Sequence, residues 1–123
     1  RAMEVHAGRL IAYSLGNFAT YYGISVNGTK GLAPLLLAQI GADGSFRGGR
    51  LVSMRQVRPH GPAPDPANQA FDLVRLLSLE DFAETAPRFE GDDGLLPPTG
   101  ARAAGTQSSP AWRRSTSRDF SLR

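Results

Sequence analysis

Residues 11–18 read IAYSLGNF, three strand-like residues that break into Ser14, Leu15, Gly16 and Asn17 and close on Phe18. Gly16 admits the left-handed backbone that a sharp corner needs. Asn17 can hydrogen-bond neighbouring backbone or face a pocket, and Phe18 packs the exit. Working back, MEVHAGRLIAYSLGNF reads as a β-hairpin: Met3, Glu4, Val5 and His6 alternate, Ala7-Gly8 is a two-residue turn, and residues 9–15 form the return strand. Leu10, Ile11 and Ala12 are consecutive apolar residues, the pattern of a strand covered on both faces.

Working forward, ATYYGISVNGTKG is aromatic and then Gly/Asn-rich, with Asn27-Gly28 suited to a type I′ turn. A second hairpin follows: GLAPLLLAQI, a turn at Asp43-Gly44, and FRGGRLVSMRQV as one return strand. Pro34 puts the start of the first strand at an edge or a bulge, because proline donates nothing to a ladder. On the return strand Leu51, Ser53, Arg55 and Val57 alternate against Val52, Met54 and Gln56, so one face is strongly apolar. RPHGPAPDP reads as an extended connector without internal hydrogen bonds. Asp65 is then the expected N-cap and Pro66 the first residue of a helix through ANQAFDLVRLLS, with Ala70, Phe71, Val74 and Leu77 or Leu73 on one face. Ser78 to Asp81 resembles a second cap, opening a short helix through Phe82.

From Gly91 periodicity stops, and the Pro/Ala/Gly/Ser/Arg-rich remainder is expected to be disordered. Its composition resembles a GC-rich gene read out of frame. The expected organisation is a folded part over 1–90 and a basic tail over 91–123.

The net charge of +3 and a pI near 10.0 suggest a nucleic-acid or membrane-surface partner. Position removes that implication. Through Leu96, nine Lys/Arg stand against ten Asp/Glu, whereas the remainder has five Arg against Asp119 alone. The basic character belongs to the tail, and no nucleic-acid partner is expected for the folded part. With no cysteine there is no disulfide or thiolate chemistry, and no apolar run approaches the ~20 residues that span a bilayer. The chain begins with Arg1 and enters a strand pattern at once, as a piece of something longer would.

Few residues suggest chemistry on their own. His6 and His60 are far apart and lack the convergent partners of a metal site. EGDDG lacks the alternating ligands of a calcium loop, and Asn27-Gly28-Thr29 is explained by a turn as readily as by glycosylation. A single FRGGR at the entry to a strand is weak evidence for nucleic-acid binding. Ser14 lacks the Gly-x-Ser-x-Gly elbow of a nucleophile.

AMEVHAGRLIAYSLGNFATY resembles the C-terminal part of bacterial CapA-type (poly-γ-glutamate capsule synthesis) proteins, which are similar to calcineurin-like metallophosphoesterases. YSLGNF is the most specific element, and the later hairpin and helix extend the resemblance over roughly residues 2–90. His6 stands where the family has an aromatic, and Arg9 replaces another basic residue. The resemblance implies an α/β (α+β) fold. Two β-hairpins and one or two helices of this chain would complete a two-sheet sandwich, with the strand into YSLGNF in its core. Tyr13, Ser14, Gly16, Asn17 and Phe18 would form either the active-site rim or only a structural corner. The parent would be a divalent-metal hydrolase in bacterial exopolymer assembly, in the cell envelope or the cytoplasm. Its partners would be the rest of the domain and a capsule polymer or phosphate-ester substrate.

The family's metal ligands lie in Asp-x-His, Gly-Asp, Gly-Asn-His and Gly-His-x-His segments, and none of these occurs between Arg1 and Arg123. The piece alone is therefore expected to hold no catalytic metal and to be inactive, marginally stable and prone to associate through exposed strand edges. Two other readings compete: a small β-rich module whose basic arm binds nucleic acid, and a non-catalytic scaffold remnant.

Overall fold

The structure, a computed structural model, describes residues 2–20 and 22–99. It is mixed α/β: small antiparallel sheets packed with one helix. β1 (Met3–His6) and β2 (Arg9–Ala12) form the first hairpin, with Glu4 opposite Ile11 and Val5 opposite Leu10. Ala7 and Gly8 both have positive φ (47° and 76°), the backbone of the two-residue turn read from the sequence. The return strand is shorter than expected and ends at Ala12. It is not covered on both faces either. Leu10 packs against the core, but Ile11 and Ala12 are exposed, because a two-stranded ribbon has only one side turned to the core.

Asn27 is extended (φ −77°, ψ 137°) rather than part of a type I′ turn, and a 3-10 turn follows at Gly28–Gly31. β3 (Leu35–Ile40) then pairs with β4 (Phe46–Val52). Pro34 directly precedes β3, which forms one edge of its sheet, as the sequence indicates. Gly44 (φ 79°) closes the turn, and the Asp43 carboxylate accepts from both the Ser45 N–H (3.1 Å) and hydroxyl (2.6 Å).

The Arg-Gly-Gly segment has a structural role. Between the pairs Ala38–Gly49 and Ile40–Phe46, β4 uses one more residue than β3. That extra residue is a β-bulge around Gly48, whose φ of 114° favours glycine. Phe46 and Leu51 have opposite parity, and the bulge turns both into the core.

The expected long return strand breaks at Ser53. β5 (Met54–Val57) pairs with β6 (Gly61–Pro64), so the proline-rich segment is a third hairpin rather than an unpaired connector. The Arg58-Pro59 peptide in its turn is cis. Pro62 and Pro64 share one parity, which lets both missing N–H groups point away from β5. Across the break the buried parity changes: Leu51 and Ser53 are buried, then Gln56, while Arg55 and Val57 are exposed.

α1 (Gln69–Asp81) starts later than the Asp65-Pro66 signal suggests, with Asn68 at the N-cap position in the left-handed region (φ 54°). Asp65 nonetheless serves this helix end, its Oδ2 accepting from the N–H groups of Gln69 (2.8 Å) and Ala70 (3.3 Å). No second helix opens at Ser78. That residue is fully buried inside α1; its hydroxyl donates to Val74 O (2.6 Å) and accepts from Met3 N–H (2.9 Å), tying the helix to β1.

The segment after Gly91 was expected to lack structure, yet β7 (Leu95–Leu96) pairs with β4 and Leu96 is fully buried. The remainder of the expected tail, from residue 100, lies outside the described residues. Met3, Phe46, Leu51, Phe71, Val74 and Leu96 form the core, and Val5, Leu10, Leu36 and Phe89 pack against it. No helix among the described residues is long and apolar enough to cross a membrane.

Candidate functional site

The residues singled out in YSLGNF occupy the exit from β2. Tyr13 N–H still donates to Ala2 O (3.1 Å), after which the chain leaves the ribbon. The Tyr13 ring stacks on Phe82 just beyond α1, with centroids 5.0 Å apart and planes within 4°. Its hydroxyl donates to Glu4 Oε1 (2.6 Å), and Thr85 donates to Glu4 Oε2 (2.7 Å). Ser14 Oγ accepts from Gly16 N–H (3.2 Å), which fixes the corner locally. Gly16 has φ 78°, and a Cβ there would stand 3.0 Å from Leu32 O. Asn17 and Phe18 are half-buried.

The corner therefore joins the first hairpin to the end of the helix through Glu4, Tyr13, Phe82 and Thr85. Glu4 was not among the expected site residues. The hairpin register held the signal for it: with Glu4 opposite Ile11, Tyr13 is its diagonal neighbour, within reach of a long side chain.

The electrostatics separate this group from a general acid or base. The Tyr13 hydrogen bond, followed by that of Thr85, holds the Glu4 carboxyl below the ordinary carboxylate value. The same hydrogen bond, which favours the neutral phenol, raises Tyr13 above the ordinary phenol value. At neutral pH the pair is an ionised carboxylate and a protonated phenol. Neither is poised near pH 7, where proton transfer in catalysis works best.

Among the described residues no three His, Cys, Asp or Glu side chains gather closely enough to hold a metal ion. His6 sits exposed at the end of β1, and His60 is exposed in the turn between β5 and β6. The donor set that a two-metal centre requires is not assembled by these residues, so no step through a metal is derived from them.

Ala19 and Thr20, directly after Phe18, line a cleft of about 170 Å³ together with Gln56, Arg58, His60 and Pro62. Gln56 donates through Nε2 to Thr20 O, and Arg58 donates through Nη2 to Ile24 O. This cleft is smaller than the ~300–1,000 Å³ of sites that bury drug-sized ligands.

Comparison with protein-family models, with curated proteins and with solved structures found no match for this chain.

Proposed function

We propose that the chain is the C-terminal part of a CapA-type, calcineurin-like metallophosphoesterase domain acting in bacterial capsule or exopolymer assembly. In this reading its hairpins and helix complete a two-sheet sandwich whose other strands lie upstream. The parent is a divalent-metal hydrolase of phosphate-ester or capsule-polymer substrates, in the cell envelope or the cytoplasm. This piece holds no metal and is inactive alone.

The observation that carries the reading is the YSLGNF corner. It is anchored on one side by Tyr13 to Glu4 and Phe82, and Asn17 and Phe18, which follow the Gly16 turn, are half-buried. Such a corner can deliver a chain from one sheet to the rim of another. Exposed apolar side chains add support: Ile11 on β2, and Leu76 and Leu79 on the outer side of α1, stand open where a sandwich would cover them.

The reading is tested with the longer in-frame polypeptide. It is expected to hydrolyse p-nitrophenyl phosphate with Mn²⁺ and to stop on chelation, while the 123-residue chain does nothing under either condition. A longer polypeptide that binds no Mn²⁺ and lacks hydrolysis would overturn it.

A further inference from the structure

We propose that the outer edge of β3 is a self-association site, occupied by β3 of a second copy of this chain in antiparallel pairing across a two-fold axis. The inference does not rest on the parentage proposed above.

Among the described residues β3 pairs on one side only, with β4, and its sheet ends there. Half of its N–H and C=O groups face outward, a template for another strand. The other edge strands are shorter, charged or partly covered: β2 is four residues long and begins with Arg9. The Val5 N–H on β1 donates to Thr85 O (2.6 Å). β6 is blunted by Pro62 and Pro64, β5 meets Leu32 through its Arg55, and β7 is two residues long. β3 has six residues, LLLAQI, with no proline and no charge. Between Lys30 and Asp43 the sequence holds no charged residue at all. The bulge that would bend the edge away lies on β4, so the outer side of β3 stays regular.

Side-chain exposure follows the same line. Leu35, Leu37 and Ile40 are 42%, 47% and 56% exposed, large aliphatics on a strand at the rim of the fold. The occupant follows from the charge pattern. A two-fold contact requires a patch complementary to itself, and like charges directly opposite one another destabilise a strand pair. An uncharged strand meets its own copy without that penalty. Antiparallel pairing joins two three-stranded sheets edge to edge and closes the contact, leaving each copy no second β3 edge.

The experiment is light scattering of the natural chain over a wide concentration range, with amide hydrogen exchange at both ends of it. The expected result is a reversible dimer of twice the 13.2 kDa chain mass, in which the outward amides of Leu35–Ile40 slow relative to the monomer. Leu37→Lys and Leu37→Glu are each expected to abolish the dimer, and mixing the two is expected to restore it. A monomer at the highest concentration overturns the proposal, as does a dimer whose β3 amides exchange at the monomer rate, or open-ended aggregation. The exchange pattern of the natural chain decides the matter if either variant fails to fold.

Discussion

The Ser53 hydroxyl donates to Asp65 Oδ2 at 3.1 Å in a buried contact between the break in the long strand and the entry to the helix. The same Ser53 oxygen accepts from the N–H groups of Ala70 (3.0 Å) and Phe71 (3.4 Å). Asp65 N–H in turn donates to Ser53 O at 3.0 Å. Two residues thus satisfy helix-start amides that would otherwise be buried without acceptors. They also position Phe71, which is 1% exposed, for the core.

Replacing Ser53 with Ala leaves Phe71 N–H without an acceptor and Ala70 N–H with only a longer bond to Asp65. A loss of about 1–3 kcal/mol in urea unfolding is expected, the cost of buried polar groups left unpaired. Wild-type stability in Ser53→Ala would show that the network contributes nothing net.

Tyr13→Phe tests the corner. Because the folded-state value of Glu4 is depressed, its stabilising contribution is present above the ordinary carboxylate value and is lost as pH falls through the folded value. Tyr13 is shifted upward, so its contribution is complete below the ordinary phenol value and disappears as pH rises through the folded one. Without the phenol hydroxyl, the Glu4 carboxyl carbon is expected to titrate closer to the ordinary value in an NMR titration, with the Thr85 bond retaining part of the shift. An unchanged midpoint would remove Tyr13 as the main cause.

Leu96→Ala examines how far the folded part extends. Leu96 is fully buried beside Leu51 and Phe71 in a core of six side chains. Truncating a buried leucine costs about 2–5 kcal/mol, a large share of the ~5–15 kcal/mol that holds a typical domain together. The variant is expected to melt at a markedly lower temperature than the natural chain by circular dichroism. Native-like melting would mean that the chain beyond Gly91 is dispensable.

Gly94→Ala reaches the same place through the backbone. Gly94 has φ 77°, and a Cβ there would stand 1.9 Å from Leu51 O, a distance that forces backbone to move. Its approach lets Leu51 N–H donate to Gly94 O at 2.8 Å. The substitution is expected to detach β7, seen as fast exchange at the Leu51 amide; retained protection would contradict that.

Local signals were readable in the sequence wherever the chemistry of adjacent residues settles the backbone. Ala7-Gly8 and Asp43-Gly44 are turns because each supplies positive φ where a tight hairpin demands it. Ala70, Phe71 and Val74 mark the buried face of α1 by spacing alone. The misread parts depend on partners distant in sequence. The helix begins later than its cap because Asp65 is held by Ser53 and reaches forward to Gln69 and Ala70. Prolines at 62 and 64 look like an unpaired connector until β5 lies beside them. Phe46 and Leu51 share a face only through the bulge at Gly48, and Leu95–Leu96 is a strand because β4 offers an edge. At the corner, the positive φ of Gly16 was legible from its residue type, while the Glu4–Tyr13 clamp follows only once the hairpin register is known.

Parentage is tested by sequencing the coding DNA upstream of Arg1 over roughly the length of a further domain. An uninterrupted frame carrying Asp-x-His, Gly-Asp, Gly-Asn-His and Gly-His-x-His segments is expected before MEVHAGRLIAYSLGNF. A start codon close to Arg1 with none of those segments ahead of it would contradict the metallophosphoesterase reading and favour a non-catalytic remnant.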